Sequence, residues 1–290
     1  MDTILVGVDG SHADRTSLRY ATEVALRTGA DIRIAHVATT YSALVPVVDV
    51  DFEDYGREVL DGAMAVARES IEATRLSGIL LRGQRQPALL EAAKDVNLVV
   101  LGASHRGRME RLVTGSTTTA LAAGAHCPVV VVPDTWEGNH HGAVGVGVKT
   151  LEGAVPLLAQ AAAIAESRRA VLEVLHAWHL PVSAYDVMSV PGAIDTSAWE
   201  SDMRDALAGE VRQALVEHPT VEVRQTVVEA NPATMLADLG GRIDLLVVAR
   251  RAKRFPRGHL GGTARALLRE ATCPVFVVPP PAGDEECPTI

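Results

Sequence analysis

His126-Cys127-Pro128-Val129-Val130-Val131-Val132-Pro133 returns late in the chain as Thr272-Cys273-Pro274-Val275-Phe276-Val277-Val278-Pro279, an offset of 146 residues (273 less 127). Two further echoes keep the same order. Pro87-Ala88-Leu89-Leu90 recurs as Pro232-Ala233-Thr234-Met235, and Ile34-Ala35-His36-Val37 resembles Val174-Leu175-His176-Ala177. The chain has 290 residues, so offsets close to half its length mean one domain copied once rather than a short solenoid repeat. The smaller offset of the early match implies about five extra residues between the second and third strands of the second copy. Length by itself already allows two domains, each able to bury a core.

Composition narrows the function. Hydrophobic residues make up 48% and charged residues 22%, an ordinary globular balance that excludes a disordered or collagen-like chain. Against 27 Lys and Arg stand 36 Asp and Glu, leaving −9 with histidine neutral. Such a charge argues against nucleic acid and anionic membranes as partners. With aromatics at 3%, stacking platforms for single strands are also unexpected. Met1-Asp2-Thr3 lacks a basic leader, no run is long enough to span a bilayer, and Cys127, Cys273 and Cys287 form no CxxC pair. The expectation is a cytoplasmic protein with reduced thiols.

Within the first copy, strand and helix patterns alternate. Ile4–Val8 is a short apolar run ending at Asp9-Gly10, a buried strand followed by a turn. Ser11 is placed to cap the next helix, with Asp14 completing a capping box and Gly29 stopping it. Ile32–Val37 is the second strand. A helix is expected from Asp54 to about Leu76 with Val59, Met64, Ala67 and Ile71 inward, then a strand at Ile79–Leu81. Pro87 opens a third helix, Leu98–Leu101 is the fourth strand, a last helix starts near Ser116, and Pro128–Val132 is the fifth strand. Strands apolar on both faces and separated by helices indicate a parallel sheet covered on both sides, so each copy is a doubly wound α/β layer. Ligands of such layers sit beyond the carboxyl ends of the strands, where Asp9, Val37 and the loop after Leu101 lie.

Two glycine motifs fail on inspection. Gly102-Ala103-Ser104-His105-Arg106-Gly107-Arg108-Met109 approaches a Walker A loop, but Arg108 replaces the lysine and Met109 cannot ligate magnesium. Gly145-Val146-Gly147 sits inside an apolar strand without a third glycine, so strand packing explains it. A different likeness covers both halves. Val8-Asp9-Gly10-Ser11 after the first strand, Gly102 through Gly115-Ser116 after the fourth, and the Cys-Pro-Val-Val-Val-Val ending resemble the universal stress protein family in its tandem arrangement. Its ATP-binding members carry G-x2-G-x9-G-(S/T). Here Gly102 and Gly115-Ser116 match, His105 stands at the second glycine, and Gly107 follows two places later.

The resemblance implies two five-stranded parallel-sheet domains of strand order 3-2-1-4-5, paired through their fifth strands as an intramolecular pseudo-dimer. It places domain 1 at 1–134, a linker at 135–142, domain 2 at 143–281 and a tail at 282–290, and leaves homodimerisation open. It also implies an ATP site in domain 1 with Mg2+ accompanying the phosphates. Asp9 would accept from the ribose hydroxyls and the Val37 backbone would meet adenine. Gly102 and Gly115 would admit the phosphates closely, with His105 and Arg106 beside them. Ser116 and Thr117 are expected to begin a helix whose free N–H groups favour an anion. The plainer alternative makes Asp9 a turn residue and Ser116 an N-cap.

Copy two departs from this pattern. Lys149 stands where Asp9 does and offers no acceptor; Ala249 replaces Gly102, Ala252 replaces His105, and Gly261-Gly262 replaces Gly115-Ser116. Its loop, Arg250-Arg251-Ala252-Lys253-Arg254-Phe255-Pro256-Arg257, is a solvated basic run or a holder of another anion or an acidic partner. No ATP of the family kind is expected there. His176 and His179, with His140-His141, read as surface or strand-end histidines, and Cys127 and Cys273 as small buried hydrophobes. No catalytic residue and no metal-ligating set is assigned. The expected function is an ATP-binding regulator of a stress response, with a nucleotide-free scaffold and a slow ATP hydrolase as alternatives.

Overall fold

A computed structural model describes residues 2–38, 52–103, 111–138, 140–179, 196–250 and 260–280. Among the described residues the first half runs β1 (Thr3–Val8), α1 (Ala13–Thr28), β2 (Asp31–Ala38), α2 (Phe52–Arg68), β3 (Leu76–Arg82), α3 (Arg85–Ala92), β4 (Leu98–Ala103), α4 (Arg111–Gly124) and β5 (Val129–Pro133). The second half runs β6 (Ala143–Gly147), α5 (Val155–Arg168), β7 (Val171–Trp178), α6 (Ser197–Ala214), β8 (Val223–Glu229), α7 (Pro232–Leu239), β9 (Leu245–Ala249), α8 (Gly262–Glu270) and β10 (Val275–Val278).

By packing, residues 1–138 and 250–290 form one compact unit and residues 139–249 another. In the first unit the strand order is β3-β2-β1-β4-β5, all parallel, with β10 added antiparallel to β5 (Val131 opposite Val275, Val129 opposite Val277). The open edge that Val129–Val132 would otherwise present is therefore paired, which removes a template for aggregation. In the other unit β6 lies between β7 and β9, and β7 between β6 and β8, again parallel. These are the doubly wound layers that the apolar strands require. Leu5, Val6, Ile34, Val99, Val100 and Val130 are sealed inside the first.

Local chemistry accounts for the element ends. Gly29 stops α1 in the left-handed region (φ 78°), its N–H donating to the Ala25 carbonyl. Pro87 falls in the first turn of α3, where its missing donor costs nothing. At three places the structure differs from the sequence reading. α2 ends at Arg68, not near Leu76, because Ile71 N–H closes on Ala67 and the chain turns. The Arg75 guanidinium then caps the Ala25 and Ala30 carbonyls, and Leu76 pairs with Ile32 to begin β3 early. α1 is capped at His12 rather than Ser11, with no side-chain cap. α4 begins at Arg111, about a turn ahead of Ser116, since nothing in Arg111-Leu112-Val113-Thr114 breaks a helix.

The buried faces carry the stability. Leu5 is fully enclosed at the centre of β1, whereas Val216 is 74% exposed. Leu5→Ala should cost about 2–5 kcal/mol in urea unfolding, by lost burial and the cavity left behind. Val216→Ala should stay within about 0.5 kcal/mol.

Candidate functional site

β1 carries apolar side chains to Val8, and the next residue, Asp9, is exposed where the strand ends. Gly10 turns the chain with φ 83°. The turn is held by acidic oxygens. The Asp14 carboxylate accepts from Asp9 N–H at 3.1 and 3.2 Å and from Gly10 N–H at 2.7 Å. Asp9 Oδ1 accepts from Ser11 N–H at 3.1 Å. This replaces the expected capping box: Asp14 reaches past Ser11 to the two residues before it. Asp9 Oδ2 has no protein donor among the described residues, so it can accept from a ligand hydroxyl.

Neighbouring elements converge on this turn. His36, buried in β2, donates its Nδ1–H to the Val8 carbonyl at 2.9 Å, fixing the end of β1. Val37 follows, one residue beyond the last β1–β2 pair, buried and opposite Leu81 of β3. From the first turn of α2, Tyr55 packs edge-on to His36, and its hydroxyl stands 2.9 Å from where a Cβ on Gly10 would lie. Tyr55 is 52% exposed, so its ring forms an exposed wall beside Gly10. The sequence reading missed it, because an aromatic in the first turn of a helix looks like any amphipathic position.

Gly102 has a reason of its own. A Cβ there would fall 2.5 Å from the Ala13 carbonyl oxygen, so the glycine lets the end of β4 lie against the start of α1. Gly115 and Ser116 lie inside α4, and Thr117 follows, half-buried. The unsatisfied first-turn N–H groups therefore belong to residues 111–114, which corrects the expectation that Ser116 and Thr117 supply them. His105 and Arg106 lie outside the described residues. Asp9, Val37 and Gly102 are brought to one edge, the carboxyl ends of β1, β2 and β4. Among the described residues no three His, Cys, Asp or Glu side chains gather as a metal site.

The second half repeats the scaffold without the acceptor. His176 donates Nδ1–H to the Val148 carbonyl at 2.9 Å, as His36 does to Val8, so Lys149 is the structural counterpart of Asp9. Of the surface and strand-end alternatives for His176, the surface one does not hold: the residue is buried in β7, its ring hydrogen-bonded to the Val148 carbonyl just after β6. Glu210 of α6 accepts from Ala154 and Val155 N–H, filling the donors at the start of α5. Gly145 and Gly147 lie in β6, where a Cβ would strike Ile243 and Leu236, as strand packing requires. Arg250, at the start of the run, is half-buried, its backbone N–H donating to Val278 and its guanidinium to the Ala125 carbonyl. The rest of the basic run, residues 251–259, lies outside the described residues. Burial raises the partly exposed Cys127 thiol, and Cys273 is enclosed, so neither is set up as a nucleophile.

A doubly wound layer with a polar turn at the carboxyl end of its central strand defines a class of α/β protein in which ligands, where bound, sit at that edge. The universal stress protein family matches residues 1–133 and 142–279, and the chain belongs to it. A universal stress protein of Mycobacterium tuberculosis is 31% identical over 295 residues, covering 94% of this chain and 96% of that one. A second from the same organism is 29% identical over 287 residues, covering 94% and 95%. Among solved structures, a universal stress protein from Archaeoglobus fulgidus covers 96% of this chain and 98% of its own at 16% identity, TM-score 0.66. One of unknown function from Pseudomonas aeruginosa covers 97% and 93% at 16% identity, TM-score 0.65. These two speak for the fold. No described helix is long and apolar enough to cross a membrane.

The Asp9–Asp14 pair has a pH signature. Burial, then the Asp9 carboxylate, raises the Asp14 carboxyl from 3.8 to about 6, against the N–H groups that lower it. A carboxyl raised in the folded state contributes stability at low pH that is lost as pH rises through about 6. Asp14→Asn does not titrate. The melting temperature of the wild type relative to Asp14→Asn should therefore be highest near pH 4 and decline up to about pH 7. Thermal scans across that range check it; a flat difference contradicts it. Separately, Gly102→Ala should cost about 1–3 kcal/mol in urea unfolding through its clash with Ala13.

Proposed function

We propose that the first half binds ATP and that the protein acts as a nucleotide-responsive regulator in the cytoplasm, with a second half that does not bind ATP in this manner. The observation that carries the reading is the contrast at one structural position. Asp9 leaves an acceptor at the exposed end of β1, while Lys149, placed by the same histidine-to-carbonyl clasp, offers only donors. Asp9 receives the ribose hydroxyls, and Val37 meets the adenine through its backbone. Gly102 lets the end of β4 close on α1 beside the phosphate path and Gly115 adds no side chain to it, with His105, Arg106, Ser116 and Thr117 along it. Mg2+ accompanies the phosphates and offsets their charge. Ligand occupancy alters a surface at this edge that partners read. The chain divides functionally into domains at 1–134 and 143–281.

The test is direct. Nucleotide released from the purified, denatured protein should be an adenine nucleotide, and titration with ATP and Mg2+ should saturate near one site per chain. Asp9→Ala should weaken binding tenfold or more, on the order of a charged hydrogen bond of about 1.5–3 kcal/mol. Lys149→Ala should leave it unchanged. Neither released nucleotide nor binding would overturn the reading in favour of a nucleotide-free scaffold. Phosphate release abolished by Asp9→Ala would make the protein a hydrolase.

A further inference from the structure

The Asp14 carboxylate lies half-buried behind the β1–α1 turn and accepts three backbone hydrogen bonds, two from Asp9 N–H and one from Gly10 N–H. The two residues it grips are the one whose side chain faces the ligand and the one under the Tyr55 hydroxyl. Resting on the nucleotide reading above, we propose that Asp14 is a positioning residue. It holds the Asp9–Gly10 backbone so that the Asp9 carboxylate meets both ribose hydroxyls, and thereby sets selectivity for ribonucleotides over deoxyribonucleotides.

The second half lacks this grip on the strand end. Asp14 N–H closes on the Ser11 carbonyl at 3.2 Å, and Ala154 N–H closes on Leu151 at 3.1 Å in the matching place. That turn is built differently, with Gly153 rather than the residue after Lys149 in the positive-φ region (78°) and Glu210 accepting from Ala154 and Val155 N–H. Where Lys149 removes the ribose acceptor, Ala154 removes the carboxylate behind it, and the two acids disappear together.

Asp14 is also an expensive choice for a structural role. Burial and the Asp9 carboxylate both disfavour its charge, and among the described residues no cation is paired with it. An asparagine would satisfy a backbone N–H without that cost. What a carboxylate adds is negative charge on Oδ2, which accepts from both adjacent N–H groups, and a second oxygen, Oδ1, that also accepts from Asp9 N–H; together they fix the direction of the Asp9 side chain.

The experiment uses the full chain and two probes, ATP and 2′-deoxy-ATP, each titrated with Mg2+ at neutral pH. The wild type should prefer ATP. Asp14→Ala should lose about tenfold for ATP and little for 2′-deoxy-ATP, bringing the ratio close to that of Asp9→Asn, and Asp14→Asn should fall between. Equal losses for both nucleotides, or an unchanged ratio, would overturn the proposal, because a merely structural role weakens both alike. If Asp14→Ala does not fold, Asp14→Asn carries the comparison. If the wild type binds neither nucleotide, the nucleotide reading itself falls. Amide hydrogen exchange at Asp9 and Gly10 then decides for Asp14: faster exchange in Asp14→Asn upholds its hold on the turn, and unchanged exchange overturns it.

Discussion

β1 is hydrogen-bonded on both edges, Val6 standing opposite Ile34 on one side and Val100 on the other, and it is covered on both faces. A strand so placed can carry polar side chains only where the sheet runs out, because an unpaired polar group inside the layer would cost several kcal/mol, on the order of 2–7. The acid that follows β1 therefore appears at Asp9, where the sheet ends, and the site grows from that boundary. The same constraint places His36 at the end of β2, where its ring can satisfy the Val8 carbonyl beyond the last ladder pair.

The two halves separate scaffold from chemistry. Both keep a central parallel strand, a buried histidine donating to its last carbonyl, and a tight turn into the following helix. They differ in the charges laid on that scaffold. The first places Asp9 on the turn with Asp14 behind it. The second places Lys149 there and spends the Glu210 carboxylate on the N–H groups at the start of α5. Duplication preserved what folding demands and let the exposed position change, since an exposed side chain at a strand end contributes little to stability.

Much of the fold was legible because strands buried on both faces leave an unbroken apolar run, as at Ile4–Val8 and Val129–Val132. The errors have a common cause. The apolar spacing through Val59, Met64, Ala67 and Ile71 continues towards Leu76 as if helical. Only the return of the chain to β2, with Arg75 capping the end of α1, ends the helix at Arg68. Likewise nothing local starts α4 at Ser116 rather than at Arg111. Of the site, Asp9, Val37 and Gly102 were readable from their places at strand ends. Tyr55 was not, since only packing brings α2 over the turn.

The amino-acid sequence by itself determined the duplication, the alternation of strand and helix, and the loss of an acceptor at Lys149, because each rests on residue types at fixed spacing. Tertiary structure alone decided that Gly102 is a contact with Ala13, that His176 is buried, and that Asp14 serves the residues before it rather than a helix cap. Those facts depend on which backbone atoms lie across from a side chain. Spacing along the chain carries no record of that until the sheet has brought the elements together.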